Sequence, residues 1–269
     1  MDYKSTTRRS KIINLDQRGV EDYKSRPAGN NFSYLKFTKD ECEDKINDLK
    51  EFHKKIDDTS LKPCMKPIVA SLKNLTSGSI AMIITKFSGS APKWNWKLED
   101  GQLAQDKNAT TGPYDNIKQE VKTTFDSNKF QDATDISIAR TILHESVHAY
   151  LVAYFRLEPL NAIAAYPVLV QEWNKRRRPD ANALQHDEMV RDFTKDVALA
   201  LEEYATSKGY TYNKQFYEDM AWGGLEDTNA FKNLPFSDRK RISNTIKIEL
   251  NGIDDLGNIQ TQKGAKSGC

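Results

Sequence analysis

Residues 134–157 read TDISIARTILHESVHAYLVAYFRL, and they form the most strongly patterned segment of the chain. Thr134 or Asp135 is a suitable N-cap, and Pro159 would stop a helix, so the pattern predicts a helix that runs to about Leu157. Apolar residues cover most of the circumference of this helix, which is typical of a helix packed on several sides. We therefore expect it to lie at the centre of the protein.

The same helix carries the pattern H-E-x-x-H at His144, Glu145 and His148. Histidines four residues apart lie one above the other on a helix face and can occupy two corners of a tetrahedral zinc site. Glu145 points to a neighbouring side, where it can accept the proton of a zinc-activated water that attacks a carbonyl. The alternative is a pair of core histidines satisfied by neighbouring carbonyls, which leaves a buried Glu145 without explanation.

A catalytic zinc site needs a third protein ligand and an open position. His186 extends the apolar stripe of a helix predicted over residues 182–208, so we choose it as the third ligand. Glu188 or Glu202 is the alternative, because some H-E-x-x-H enzymes take a glutamate from a later helix. His53 lies on a lysine-rich helix and is predicted to be a surface residue.

The segment Thr141-Ile-Leu-His-Glu-Ser-Val-His-Ala-Tyr150 resembles the active-site helix of zincin metallopeptidases. The closer resemblance is to SprT-like zincin domains of secreted or toxin-like Bacteroidetes proteins, and it covers about residues 60–250. Three shorter stretches are also similar to that group: Lys62-Pro-Cys-Met-Lys66, Gln185-His-Asp-Glu-Met189 and Tyr217-Glu-Asp-Met-Ala-Trp-Gly-Gly-Leu-Glu226. The resemblance implies a Zn²⁺ cofactor with His186 as third ligand. The residues after His148 lack the metzincin extension, which excludes that class.

The resemblance implies a zinc-dependent metallopeptidase that hydrolyses peptide bonds in a protein or peptide substrate. It also implies a bacterial effector that is secreted or delivered to a target cell by contact, with an immunity protein or a secretion apparatus as partner. Two alternatives stay open, a zinc amidase acting on peptidoglycan and a non-catalytic binding module with a zincin fold. The intact Glu145 argues against the binding module, which has no need of a base.

The amino-acid composition argues against some classes of binding partner. The 269 residues include 40 Lys and Arg against 38 Asp and Glu, and the net charge of +2 argues against a dedicated nucleic-acid or membrane-surface binder. The basic run Lys175–Arg178 has two interpretations, a nucleic-acid contact and a cationic helix end that matches the helix dipole, and the near-balanced net charge favours the second. The longest apolar run, Ala149–Phe155, is too short to span a bilayer. No apolar signal segment is visible in the first thirty residues.

Helical patterns dominate the second half of the chain, and short strands are predicted near residues 93–98 and 116–126. The expected fold class is therefore α+β, zincin-like and mainly helical with a small mixed sheet. The expected organisation is an N-terminal arm and accessory helix over residues 1–60, a zincin-like domain over 61–251 and a flexible tail over 252–269. The resemblance implies that strand 116–126 is an edge strand that pairs with an extended substrate, and the alternative is an ordinary strand of a small sheet.

Three cysteines are too few for a disulfide scaffold. Cys64 opens a predicted helix of the zincin-like region, and Cys269 is the last residue of the tail. Our hypothesis is that these two pair in an oxidising compartment and tie the tail to the domain, while Cys42 remains free.

Overall fold

The computed structural model of the protein describes residues 2–4, 34–36, 39–76, 78–88, 92–105, 107–158, 166–177 and 183–269. Its helices are α1 (Lys39–Lys54), α2 (Lys66–Lys73), α3 (Ile80–Ser88), α4 (Asp135–Tyr154), α5 (Tyr166–Arg177), α6 (Ala183–Ser207), α7 (Lys214–Met220), α8 (Asn229–Lys232) and α9 (Phe236–Asn251). Its strands are β1 (Asp2–Lys4), β2 (Tyr34–Lys36), β3 (Ile56–Ser60), β4 (Asn95–Asp100), β5 (Ala109–Thr111) and β6 (Glu120–Phe125). Among the described helices, none has both the length and the apolar character needed to cross a membrane.

The architecture confirms the coarse prediction of α and β structure with a small mixed sheet. Four strands form one sheet in the order β3-β4-β6-β5, in which β3, β4 and β6 run parallel and β5 runs antiparallel to β6. β1 and β2 form a separate antiparallel pair. The helices that follow residue 134 make up most of the remaining mass.

The prediction that strand 116–126 lies at an edge is wrong. The strand begins only at Glu120, because residues 116–119 form a turn in which Gln119 has a φ of 52°. β6 then hydrogen-bonds β4 on one side and β5 on the other, so it lies inside the sheet. The edge strand on this side of the sheet is β5. It has only three residues, and it was not predicted because it lies in a segment rich in Gly, Asn and Asp.

Helix α4 lies at the centre of the fold, as its apolar circumference predicted. It contacts α2, α3, α5, α6 and α9 as well as strands β5 and β6. Its first turn is capped by Thr134, whose hydroxyl accepts a hydrogen bond from the backbone N–H of Ser137 at 3.2 Å. The side chains of α4 that face these neighbours form the middle of the core, and they include Ile136, Ile138, Ala139, Ile142, Leu143, Val147, Ala149 and Leu151.

The predicted loose tail over residues 252–269 instead lies against the start of α4. The carboxylate of Glu249, on α9, is buried and accepts hydrogen bonds from Thr134 Oγ1 at 2.8 Å and from the backbone N–H of Lys263 at 2.7 Å. Cys64 and Cys269 are joined by a disulfide, as the sequence hypothesis proposed. The tail is therefore an ordered part of the domain, and it supports the N-terminal end of α4.

His53 departs from the expected surface position. It lies half-buried on α1, and its Nε2 atom accepts a hydrogen bond from the backbone N–H of Ala81 at 3.2 Å. Burial, with a smaller contribution from the charge of Lys73, lowers the pKa of His53 to about 4. The neutral ring thus satisfies an N–H group at the start of α3, which the helix itself leaves without an acceptor.

This depressed pKa predicts an acid-sensitive contact between α1 and α3. Between about pH 6.5 and pH 4 the unfolded chain binds a proton at His53 and the folded chain does not, so stability falls as the pH falls through this window. His53→Gln keeps a hydrogen-bond acceptor but cannot titrate. Between pH 7 and pH 5 we therefore expect its free energy of unfolding to fall by about 1 kcal/mol less than that of the parent. Urea unfolding at the two pH values measures the difference. If the free energy of unfolding falls equally in both proteins between the two pH values, the His53 ring does not titrate in this window.

Candidate metal centre

The two motif histidines lie on the same face of α4 and are almost buried. Their side chains are 13% and 14% exposed, and the Glu145 carboxylate lies between them. Its Oε1 atom is 4.0 Å from His144 Nε2, and its Oε2 atom is 3.6 Å from His148 Nδ1. The i, i+4 spacing places the two imidazoles on one face of α4, and the Glu145 carboxylate lies within 4.0 Å of both.

His144 is held in the neutral form. Burial lowers its pKa to about 4, against the opposing charge of Glu145 and a backbone hydrogen bond with Gly223. That bond favours the protonated ring, so the imidazole is its donor and the Gly223 carbonyl its acceptor. Metal-binding histidines commonly donate their second ring N–H to a carbonyl in this way, which fixes the tautomer and the orientation. A neutral, oriented imidazole is the form that binds zinc.

Glu145 is buried and ionised. Burial acts to raise its pKa, but the neighbouring imidazoles of His148 and His144 and the hydrogen bond from Thr111 outweigh it, so the net pKa is lowered. The hydroxyl of Thr111, on the edge strand β5, donates to Glu145 Oε2 at 2.6 Å. The sheet thus fixes the carboxylate from the side opposite to α4.

The hydrogen bond from Thr111 is the last of a chain whose direction follows from the donors available. Trp96 Nε1, which can only donate, bonds to Thr123 Oγ1 at 2.8 Å. Thr123 and Thr111 share a hydrogen bond of 2.8 Å, and the hydroxyl of Thr111 already donates its hydrogen to Glu145. Thr123 must therefore donate to Thr111. Each hydroxyl has one donor and one acceptor role, so the chain stabilises the ionised carboxylate.

A tight turn after α7 covers His144 and the residue one helical turn before it, Arg140. A Cβ atom on Gly224, whose φ is +83°, would lie 2.3 Å from the His144 ring, and one on Gly223 would lie 2.7 Å from Arg140 Cζ. Only glycines fit at both positions, because no side chain could occupy that space. The Trp222-Gly-Gly stretch of the sequence allows two interpretations, a lining of the site and a helix end with a tight turn packed by the indole. The structure has the turn, and this turn also forms one wall of the site.

The third ligand lies outside the described side chains. His186 is in the first turns of α6, a helix that packs against α4, but the structure describes no side chain at position 186 or at Glu188. Among the described residues, no group of three His, Cys, Asp or Glu side chains is arranged to hold a metal. His186 therefore stays a prediction.

The position of Tyr204 on α6 argues against its near neighbour Glu202 as the third ligand. Tyr204, two residues later on α6, donates to Asp135 Oδ2 at 3.2 Å, which fixes this part of α6 beside the first turn of α4. At 1.5 Å per residue, His144 lies about 13 Å farther along α4.

Three tyrosines that could stabilise an oxyanion are used elsewhere. The Tyr204 hydroxyl donates to Asp135, the Tyr212 hydroxyl donates to the carbonyl of Lys263, and the Tyr217 hydroxyl accepts the N–H of Tyr212. Tyr204 bonds the first turn of α4 directly, and Tyr212 bonds the tail segment that lies against it.

Sequence analysis missed Thr111 as a part of the site, and for Gly223 and Gly224 it favoured a simple turn over a lining of the site. Threonine at 111 lies between Gly and Asn residues that indicate a loop, and nothing local marks it as a partner of Glu145. The Gly-Gly pair after a tryptophan was visible, but a turn was a sufficient explanation for it.

Comparisons with protein-family models, curated proteins and solved structures gave no match to this chain. The case for a function therefore rests on the residues of the site.

Proposed function

We propose that this chain is a zinc-dependent metallopeptidase with a zincin-like fold. The observation that carries the proposal is the arrangement on α4, where two nearly buried imidazoles flank an ionised, hydrogen-bonded Glu145. The donors fit zinc, since His144 is neutral and oriented by a carbonyl. A structural histidine pair would need no buried carboxylate between its rings.

In this proposal each residue has one role. His144, His148 and His186 hold the metal, which when bound supplies a Lewis acid that activates water and polarises a carbonyl. Glu145 accepts the proton of the attacking water and later donates it to the leaving amine. Thr111 holds the carboxylate in the orientation that this transfer needs.

The position of β5 supports a peptide as substrate. β5 is an edge strand, so its outer N–H and C=O groups can pair with an extended chain. Thr111 belongs to this strand and touches Glu145, so a peptide paired with β5 would pass beside the proposed base. This transfers the substrate-pairing role from strand 116–126 to residues 109–111.

The proposed setting is a secreted or contact-delivered effector acting on a protein of a target cell. The Cys64–Cys269 disulfide supports it, because disulfides persist in oxidising compartments and are rare in the cytosol of mesophiles. An immunity protein or a secretion apparatus remains the proposed partner.

A zinc assay combined with digestion of a broad peptide library tests the function. One bound zinc per chain and cleavage that a chelator abolishes are the expected results. Bound zinc without peptide cleavage would favour a binding module, and cleavage of peptidoglycan amides alone would favour the amidase. A chain that binds no zinc would remove the basis of the proposal.

Thr111 provides a specific prediction. Thr111→Val keeps the shape of the side chain but removes the hydrogen bond to Glu145, and changes of this kind beside a metal site cost about 10–100-fold in activity. Thr111→Ser is the matched control, because it keeps the hydroxyl and should retain most activity. Rates of peptide cleavage and zinc content decide the matter. Equal rates for the valine and serine variants would show that the hydroxyl has no positioning role.

A further inference from the structure

Arg140 is a buried cation that the proposed chemistry does not use. It lies on α4 one turn before His144 and is 8% exposed. Its Nε atom is buried without a hydrogen-bond partner, and within the described part of the chain no ion pair or hydrogen bond joins its guanidinium to another residue. Buried guanidinium groups are normally paired, because removing the charge from water is costly.

The neighbouring backbone at Gly223 packs against the guanidinium group but forms no hydrogen bond with it. Gly223 lies against Arg140 so closely that a Cβ atom there would come within 2.7 Å of both Nε and Cζ. Glu226 and Glu145 act on Arg140 through their charges, but neither lies within ion-pair distance. Among the residues that the structure describes, Arg140 therefore has no hydrogen-bonded or ion-paired partner.

The spacing relates this cation to the reaction. One helical turn separates Arg140 from His144, a rise of about 6 Å, which corresponds to about two residues of an extended peptide. The same turn of backbone covers both residues, with Gly223 on Arg140 and Gly224 on His144. A group bound at Arg140 would thus lie one or two residues from a scissile bond at the histidines.

We propose that Arg140 binds a carboxylate of the substrate, and that the enzyme therefore selects peptides with an acidic side chain or a free C-terminus beside the scissile bond. Guanidinium and carboxylate groups match in charge and geometry and form paired hydrogen bonds. The substrate assignment rests on the proposed peptidase function, whereas carboxylate binding at Arg140 needs no metal.

Binding to the metal-free, full-length chain tests the site directly, because no zinc is then present to bind a carboxylate. Trp222-Gly223 is the only Trp-Gly pair among 269 residues, so ¹³C-carbonyl Trp with ¹⁵N-Gly labelling gives one amide signal at the wall of the site. The probes are N-acetyl-glutamate α-amide, with a side-chain carboxylate, N-acetyl-alanine, with a terminal one, and N-acetyl-glutamine α-amide, with neither.

We expect one of the two carboxylate probes to shift the Gly223 signal saturably and to bind about 10–100-fold more tightly than the uncharged probe. The probe that binds identifies the source of the carboxylate. Arg140→Met should abolish the preference and Arg140→Lys should weaken it, while Arg156→Met, at an exposed site beyond the end of α4, should leave it unchanged. Equal binding of all three probes to the parent chain would overturn the proposal, as would a preference that survives in Arg140→Met.

Cleavage by the zinc-loaded enzyme separates this proposal from the first. Peptides cut without any preference for a nearby carboxylate would overturn the role of Arg140 and leave the peptidase intact. Carboxylate binding through Arg140 in a chain that cuts no peptide would leave the anion site standing and reject the peptidase.

Discussion

Glu145→Gln is expected to keep its zinc and lose peptide hydrolysis by about 10²–10⁴-fold, the usual contribution of a general base. The amide is nearly isosteric with the carboxylate and can still accept the hydrogen bond from Thr111. It cannot accept the proton of the attacking water. Thermal melting should match the parent, so the loss would be chemical rather than structural.

Changes at the histidines proposed to bind the metal should have the opposite effect on metal content. His148→Ala and His186→Ala each remove one of three proposed ligands, so both should lose zinc and activity together. His53→Gln is the matched control, since that histidine accepts a hydrogen bond from Ala81 on another part of the fold. Metal analysis of the purified variants separates the base from the ligands.

Two outcomes would contradict this assignment. Stoichiometric zinc in His186→Ala would mean that the third ligand is misassigned, and Glu188 would become the better choice because Glu202 lies beside the first turn of α4. Full activity of Glu145→Gln on a substrate that the parent cleaves would falsify the proposed mechanism.

Removal of the Cys64–Cys269 disulfide is the second change with a large expected effect. The bridge spans 205 residues. Closing a loop of that length lowers the entropy of the unfolded chain enough to stabilise the fold by about 5 kcal/mol in the chain-entropy account. We therefore expect Cys64→Ser to melt roughly 10 °C below the parent.

The loss should also reach the candidate metal centre. Glu249 bonds both the tail and Thr134 at the start of the motif helix, so a freed tail would weaken that network. Hydrogen exchange should then rise in residues 252–269 and in the first turn of α4. Cys42→Ser is the control, because Cys42 lies on α1 outside the bridge. A parent protein whose melting temperature is unchanged by a reductant would show that the bridge contributes little.

The elements with regular periodicity were predictable one by one. The helix predicted to start at Thr134 or Asp135 appears as α4, and the helix predicted over residues 182–208 appears as α6 with Gly209 at φ +81° just after its end. Both have apolar stripes over several turns, which local sequence displays fully. β5 has only three residues, and three residues contain no period.

Contacts between distant segments were not predictable in the same way. The hydroxyl of Thr111 reaches Glu145 because β5 closes the sheet over α4, and His53 is half-buried because α3 packs on α1. Each of these contacts depends on where two elements that are distant in the sequence meet. The lysines beside His53 on its own helix had instead suggested that this side chain is exposed to solvent.

The sequence by itself determined the central helix and, on that helix, the spacing that brings His144, Glu145 and His148 together. That result is local, because one helical turn separates the histidines whatever surrounds them. Only the tertiary structure decided that Thr111 fixes the carboxylate, that Gly223 and Gly224 cover Arg140 and His144, and that the tail is anchored. Those contacts join segments tens to more than a hundred residues apart, and only the packing of the whole chain brings such segments within a few ångströms.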